Sequence, residues 1–147
     1  CAKADIIIPN ITEASFMTGM EYKTSYDEAY IREMINRLAE LGAKTVILTG
    51  VTYDEGSIGV MGYDRESDES YYYKHDKVNA SYHGTGDIFS STLVGGLAND
   101  LTWKEAIPIA ADYTAKCIQL TVDDKDGRFY GVNFEEAIPY LLKRVGK

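Results

Sequence analysis

Apolar residues occur along the chain in two patterns, short continuous runs and runs at helical spacing. Residues 5–8 and 45–48 are continuous and rich in β-branched side chains, which predicts strands buried on both faces. Between them, residues 28–41 carry apolar side chains three and four positions apart, as one face of a helix does. This order of strand, helix and strand predicts a βαβ unit and an α/β fold.

The segment after the second strand predicts a β-hairpin. Residues 57–63 and 70–75 have strand-like patterns and flank a charged loop, which is typical of a hairpin. Tyr71, Tyr72 and Tyr73 suit a pleated, half-buried surface. We therefore expect the hairpin to form an edge of the sheet.

The last third of the chain predicts helices. Their expected ranges are 88–98, 105–120 and 134–145. Thr102 with Glu105, and Asn133 with Glu136, have the spacing of a capping box. Thr102 and Asn133 are therefore expected to cap the last two helices.

Composition and charge narrow the class of protein. The 147 residues are 45% hydrophobic, as in ordinary globular domains, and a net charge of −8 without a basic run argues against nucleic acid as a partner. No apolar run approaches the ~20 residues that span a membrane.

Cys1 and Cys117 form no metal-binding or disulfide pattern, so a reducing cytoplasm is expected. Because the chain begins with Cys rather than Met, we expect it to be cut from a longer protein.

A Gly-rich stretch at 82–87 precedes the first of these late helices. Gly84 and Gly86 lack a Cβ atom, so the backbone can adopt positive φ and curl close to a ligand. Successive N–H groups at a helix start have no intrahelical partner, and they bind anions such as phosphate. Asp87 has two explanations. It is either the N-cap of the helix, or a base that takes the proton from a hydroxyl group attacking a phosphoryl group.

A second candidate region follows the two predicted strands. Asn10 and Glu13 have the spacing of a capping box at the start of a short helix, 11–17. Thr49 and Gly50 follow the second strand, at the edge where open α/β sheets bind ligands. A plain turn from strand to loop is the alternative for these two residues.

The Gly-rich stretch resembles the anion-hole and catalytic-base motif of the ribokinase superfamily. The residues that carry the resemblance are His83-Gly84-Thr85-Gly86-Asp87, followed by Ile88-Phe89-Ser90-Ser91. Sugar kinases of this superfamily usually have Ala in the place of Thr85, and hydroxymethylpyrimidine kinases usually have Cys in the place of Asp87. Thr85 with Asp87 therefore resembles the pyridoxal kinase branch. The resemblance covers nearly the whole chain, but only the C-terminal half of such an enzyme.

This resemblance implies a three-layer ribokinase-like fold, in which helices flank a mainly parallel sheet that carries a β-hairpin. It implies that residues 1–147 are the C-terminal, nucleotide-binding portion of a single kinase domain, and that the full-length protein is a homodimer. The implied reaction is the ATP- and Mg²⁺-dependent phosphorylation of the 5′-hydroxymethyl group of pyridoxal, pyridoxine or pyridoxamine, in vitamin B6 salvage.

The resemblance also assigns the site residues. Asp87 is the general base. The backbone amides of the anion hole belong to Gly84, Thr85 and Gly86. The residues assigned to Mg²⁺ are Asn10 and Glu13, within a stretch, Pro9-Asn10-Ile11-Thr12-Glu13-Ala14, that resembles the pyridoxal kinase version of an Asn-x-x-Glu motif. The residues assigned to the nucleotide are Thr49, Gly50, Val78 and the three anion-hole residues. For Val78, packing is an equal alternative.

Two alternatives stay open. One is a hydroxymethylpyrimidine or sugar kinase of the same superfamily, and the other is a non-catalytic nucleotide-binding fragment. The family places the substrate pocket and its lid upstream of the matched residues. We therefore expect the 147-residue chain alone to bind nucleotide weakly and to lack kinase activity.

Overall fold

The structure is a computed structural model that describes residues 3–78, 80, 82–124 and 131–146. The chain divides into two compact units, Cys1–Asp76 and Lys77–Lys147. All the strands of the described residues lie in the first unit, and the second unit is helical.

The first unit contains a four-stranded sheet. Its strands are β1 (Ile6–Ile7), β2 (Thr45–Val51), β3 (Ser57–Asp64) and β4 (Glu69–Asp76), in the spatial order β1-β2-β3-β4. β1 pairs in parallel with β2, whereas the pairs β2–β3 and β3–β4 are antiparallel. The predicted βαβ unit and edge hairpin are confirmed. The expectation of a mainly parallel sheet is not met among the described strands: one of the three pairings is parallel, because the hairpin supplies two of the four strands.

β1 is shorter than the predicted range 5–8, because a proline follows it closely. Pro9 has no N–H group and cannot donate to the strand ladder. The chain nevertheless stays beside β2, since the Pro9 carbonyl accepts a hydrogen bond from the Thr49 N–H at 2.9 Å.

Two helices join β1 to β2. They are α1 (Ile11–Thr18) and α2 (Glu28–Glu40). α1 ends at Gly19, whose φ of 67° is the left-handed conformation that glycine adopts readily. The buried face of α2 packs in one core cluster with β2, and the residues of this contact are Ile31, Met34, Ile35, Leu38, Ala39, Val46, Leu48 and Val51. Each large aliphatic side chain buried in this way contributes roughly 1.5–3 kcal/mol, so the predicted apolar stripe fixes α2 on the sheet.

The second unit is built around a pair of helices. Its elements are α3 (Thr85–Ala98), α4 (Trp103–Asp123), a 3₁₀ turn (Glu135–Ala137) and α5 (Ile138–Arg144). A β-carbon at Gly96 would lie 3.1 Å from the β-carbon of Ala106, so glycine permits the close contact between α3 and α4. Within the described residues, no helix combines the length and the apolar character needed to cross a membrane.

The predicted cap of α4 is confirmed. The Thr102 hydroxyl accepts a hydrogen bond from the Glu105 N–H at 3.3 Å, and the Glu105 carboxylate accepts one from the Thr102 N–H at 2.8 Å. These reciprocal bonds satisfy two N–H groups that otherwise lack partners at the helix start.

The predicted helix 134–145 with Asn133 as its cap is wrong. The Asn133 N–H donates to the Thr121 hydroxyl at 2.8 Å, and the 3₁₀ turn begins after Phe134 without a side-chain cap. Pro139 explains the break, since it lacks the N–H that a continuous helix would donate to the Glu135 carbonyl. The α-helix therefore starts only at Ile138, with the proline in its first turn, where its N–H is not needed.

Candidate functional site

Asn10 and Glu13 form the capping box that the sequence predicts at the start of α1. The Asn10 side-chain oxygen accepts a hydrogen bond from the Glu13 N–H at 2.9 Å. The Glu13 carboxylate accepts one from the Asn10 N–H at 3.0 Å. Both residues are exposed, so the box lies at the surface where a ligand can reach it.

The parallel pairing of β1 with β2 brings Thr49 beside this capping box. Asn10 and Thr49 form an isolated parallel β-bridge just beyond β1. The Thr49 N–H and the Thr49 hydroxyl both donate hydrogen bonds to the Pro9 carbonyl, at 2.9 and 3.5 Å. Parallel strands end at the same edge of a sheet, and this edge is where ligands bind in open α/β folds. The structure thus brings Asn10, Glu13, Thr49 and Gly50 together in the first unit.

Gly50 lies inside β2 and does not follow the strand. The pairing with β3 shifts between Thr49 and Val51, so Gly50 is the extra residue of a β-bulge. Its φ is 76°, a conformation that only glycine adopts without strain. The interpretation of Gly50 as part of a plain turn is therefore wrong, and the strand continues through a glycine-dependent kink to Val51.

A tyrosine outside every predicted site motif contacts this bulge. The Tyr26 hydroxyl accepts a hydrogen bond from the Thr52 N–H at 2.9 Å and donates one to the Gly50 carbonyl at 3.3 Å. Burial raises the pKa of Tyr26 above its ordinary value, so the hydroxyl stays protonated. No local pattern indicates this contact, because Tyr26 lies in the segment between α1 and α2, far from β2 in the sequence.

In the second unit, the Gly-rich stretch forms the start of α3. Gly84 is the N-cap, with φ 87° and ψ −1°, and it makes no side-chain capping bond. The helix begins at Thr85, three residues earlier than predicted. The first intrahelical bond is donated by the Ile88 N–H to the Gly84 carbonyl at 3.0 Å. The N–H groups of Thr85 and Gly86 therefore have no intrahelical acceptor and are available to an anion.

Asp87 is the third residue of α3 and not its N-cap. The capping position belongs to Gly84, so the explanation of Asp87 as the N-cap is wrong. The residue is exposed, in the first turn of a helix whose dipole favours a carboxylate. Its place beside the free N–H groups is the one that the alternative explanation, a base next to a phosphoryl group, requires.

Gly86 is a glycine that neither backbone conformation nor packing explains. It lies in the first turn of α3 without the positive φ of Gly84, and a β-carbon on it would meet no atom within 4 Å. Glycine in a helix is less favourable than alanine by about 1 kcal/mol. The open space beside Gly86 allows a ligand to approach the backbone closely.

Val78, the remaining nucleotide candidate, is half-buried in the segment that leads to this turn. Its carbonyl accepts a hydrogen bond from the Ala80 N–H at 2.8 Å. Val78 belongs to the same unit as the residues at the start of α3.

The described residues contain no group of three or more His, Cys, Asp or Glu side chains that could hold a metal ion. Mg²⁺ does not need such a group, because it usually keeps several waters and binds one or two carboxylates together with phosphates. Glu13 supplies one exposed carboxylate, with one oxygen engaged by the Asn10 N–H. These residues fit a magnesium ion held mainly by water and phosphate oxygens.

Comparison with known proteins places these features in a family. The family model described as phosphomethylpyrimidine kinase matches residues 1–130. The chain belongs to the phosphomethylpyrimidine kinase family. Its mixed α/β fold, with a four-stranded sheet and flanking helices, matches ribokinase-like kinase structures, as the sequence predicts.

The relatives of the chain include kinases named for pyridoxal and kinases named for hydroxymethylpyrimidine. The chain is 34% identical to a pyridoxal kinase of Dictyostelium discoideum over 63% of its own length and 32% of that protein. It is 32% identical to a hydroxymethylpyrimidine/phosphomethylpyrimidine kinase of Aquifex aeolicus, over 78% and 44% of the two lengths.

A solved structure from Bacteroides thetaiotaomicron, described as a candidate phosphomethylpyrimidine kinase in a crystal form with pyridoxal, has a TM-score of 0.87 and 27% identity. The match covers 95% of this chain and 50% of that one. The chain therefore spans one third to one half of the length of these proteins.

Proposed function

We propose that the chain is the nucleotide-binding portion of an ATP-dependent kinase that phosphorylates the 5′-hydroxymethyl group of a vitamin B6 compound. The observation that carries the proposal is the start of α3. There a left-handed Gly84 leaves free N–H groups at Thr85 and Gly86, and Asp87 follows one residue later. Family membership and the half-length matches support a kinase domain that extends beyond residues 1–147.

The start of α3 supplies the two functions that phosphoryl transfer requires. The amides of Gly84, Thr85 and Gly86 receive the negative oxygens of the transferring phosphoryl group. Asp87 accepts the proton of the attacking hydroxyl group. The hydroxyl oxygen bonds to the γ-phosphorus, and the bond from that phosphorus to ADP breaks. Such a reaction needs little covalent help, and positioning with electrostatic stabilisation supplies most of the rate.

In this proposal, the sheet edge where Asn10 meets Thr49 holds the nucleotide phosphates and the metal ion. Thr49 and Gly50 contact the phosphates, and the family resemblance also assigns Val78 to the nucleotide. Asn10 and Glu13 hold Mg²⁺ through water and phosphate oxygens. When bound, the ion neutralises phosphate charge. The Bacillus subtilis and Staphylococcus aureus relatives, named pyridoxal kinases and crystallised with ADP or an ATP analogue, support the choice of nucleotide.

The choice of a B6 compound rests on two residues of the Gly-rich stretch. Thr85 and Asp87 match the pyridoxal kinase branch. Sugar kinases usually have Ala in the place of Thr85, and hydroxymethylpyrimidine kinases usually have Cys in the place of Asp87. Relatives named for pyridoxal or pyridoxine support the same choice. The family resemblance further supports a cytoplasmic homodimer for the full-length protein.

A second candidate substrate is hydroxymethylpyrimidine. It is favoured by the description of the matching family and by the relatives from Aquifex aeolicus and Staphylococcus aureus. Both substrates present a hydroxymethyl group on an aromatic ring, so the same base and anion hole would serve either one.

A competition assay on the full-length protein separates the candidates. Consumption of ATP is measured with pyridoxal, pyridoxine, pyridoxamine, hydroxymethylpyrimidine and common sugars, and kcat/KM is compared. We expect the highest kcat/KM for a B6 compound. A clear preference for hydroxymethylpyrimidine or a sugar would overturn the proposed substrate. If no compound in the assay caused ATP to be consumed, the kinase proposal would be overturned.

A further inference from the structure

We infer that Tyr26 is a positioning residue for the nucleotide, because its hydroxyl holds the Gly50 bulge in one conformation. This inference rests on the proposed function, in which Thr49 and Gly50 contact the nucleotide phosphates. Tyr26 lies outside both the Gly-rich stretch at 82–87 and the Thr49-Gly50 pair, and it acts through the bulge.

The bulge leaves backbone groups without partners in the sheet. Thr49 pairs with Val60 and Val51 with Gly59, so Gly50 has no residue opposite it on β3. The Tyr26 hydroxyl donates to the Gly50 carbonyl at 3.3 Å and accepts from the Thr52 N–H at 2.9 Å, so it links the bulge to the residue that follows β2. The Thr52 hydroxyl is a second, longer donor to the Gly50 carbonyl, at 3.5 Å. Fixing this carbonyl limits rotation of the peptide group that follows Gly50. Glycine is the residue with the most conformational freedom to lose, so such a restraint has its largest effect there.

Neighbouring aromatic rings hold Tyr26 in place. Tyr30 stacks on it with ring centroids 5.5 Å apart, and Tyr53 meets it edge-on at 6.2 Å. Tyr53 in turn meets Tyr72 of β4 at 5.5 Å. Aromatic pairs at these distances are favourable, so the hydroxyl is presented to the bulge by a ring that packing has already oriented. A preorganised bulge loses less entropy when phosphate binds, which raises affinity.

The chain offers a matched pair of variants. Tyr26→Phe removes only the hydroxyl and keeps the ring contacts. Tyr30→Phe makes the same change in the stacked neighbour, whose hydroxyl donates to the Glu21 carbonyl at 2.6 Å, away from the bulge. The dissociation constant of ADP with Mg²⁺ and the melting temperature are measured for both variants in the full-length protein. We expect Tyr26→Phe to weaken ADP binding by about tenfold and Tyr30→Phe to leave it unchanged.

A third variant separates this inference from the proposed function. Thr49→Val removes a hydroxyl of the proposed phosphate site and keeps the shape of the side chain. If Thr49→Val and Tyr26→Phe both leave ADP affinity unchanged, the proposed role of this edge fails. If only Thr49→Val weakens binding, the edge binds phosphate and the inference about Tyr26 is wrong.

Hydrogen exchange of the unmodified protein tests the same inference without a mutation. The Thr52 amide donates to Tyr26, so its exchange reports opening of the bulge. ADP with Mg²⁺ should slow this exchange, because binding selects the held conformation. An unchanged rate at Thr52, with ADP bound, would contradict the inference even if Tyr26→Phe failed to fold.

Discussion

Asn10 and Thr49 pair directly as a parallel β-bridge, although one begins a helix and the other belongs to a strand. Through this bridge the capping box of α1 and the Gly50 bulge of β2 share one edge of the sheet. This edge therefore carries a carboxylate, a hydroxyl and a glycine with positive φ, a combination that suits phosphate and a hard cation.

The capping boxes at the starts of α1 and α4 allow the proposed metal role of Glu13 to be separated from its structural role. Glu13→Gln and Glu105→Gln each keep a side chain that can complete a capping box, so both should change stability by less than about 1 kcal/mol. We expect only Glu13→Gln to raise the Mg²⁺ concentration for half-maximal rate, because only Glu13 is proposed to hold the ion. The Mg²⁺ dependence is measured by titration of the kinase rate. Equal dependence in the two variants would show that Glu13 acts only as a capping residue.

Two helical glycines of α3 test the proposed close approach of phosphate. A β-carbon meets no atom within 4 Å at either Gly86 or Gly95. Alanine should therefore be tolerated at both positions and change stability by at most about 1 kcal/mol. We expect Gly86→Ala to weaken nucleotide binding or lower kcat by about tenfold, because its methyl group fills space next to the free N–H groups. Gly95→Ala should change neither, and normal kinetics in Gly86→Ala would argue against an anion site at this turn.

The Asp64 carboxylate predicts a pH-dependent contribution to stability. Hydrogen bonds from the Ser67 N–H at 2.9 Å, the Ser67 hydroxyl at 2.9 Å and the Thr45 hydroxyl at 3.1 Å hold its pKa below the ordinary value of 3.8. A depressed pKa in the folded state means that the stabilisation is complete above pH 3.8 and is lost as the pH falls through the folded pKa. Asp64→Asn should therefore lower the melting temperature at pH 7, and the difference from the unmodified protein should shrink below pH 3.8. A difference that stays constant with pH would show that the carboxylate charge is not involved.

The parts of the site that the sequence predicts are those set by local chemistry and strand order. The pairing of Asn10 with Glu13 follows from capping-box spacing. Their approach to Thr49 follows from the ends of parallel strands. The left-handed Gly84 follows from the need for positive φ in a tight curl before a helix.

The parts that the sequence did not predict depend on tertiary contacts or on competition between signals. Asn133 and Glu136 have good capping spacing, but Pro139 breaks the continuous helix they would begin. Tyr26 lies just before α2, which packs with β2 in one core cluster, and no pattern near Tyr26 indicates its contact with Gly50. The bulge at Gly50 depends on pairing with β3, which a single strand pattern does not contain.

The most direct test of the central claim is the rate of phosphoryl transfer by Asp87→Asn in the full-length protein. Asparagine has nearly the same shape but cannot accept the proton of an attacking hydroxyl. We predict that kcat for pyridoxal falls by about 10²- to 10⁴-fold while nucleotide affinity and melting temperature stay near those of the unmodified protein. Asp123→Asn, the same change in the last turn of α4, should leave kcat unchanged. Turnover by Asp87→Asn at the unmodified rate would contradict the account, because the residue beside the anion site would then have no part in the reaction.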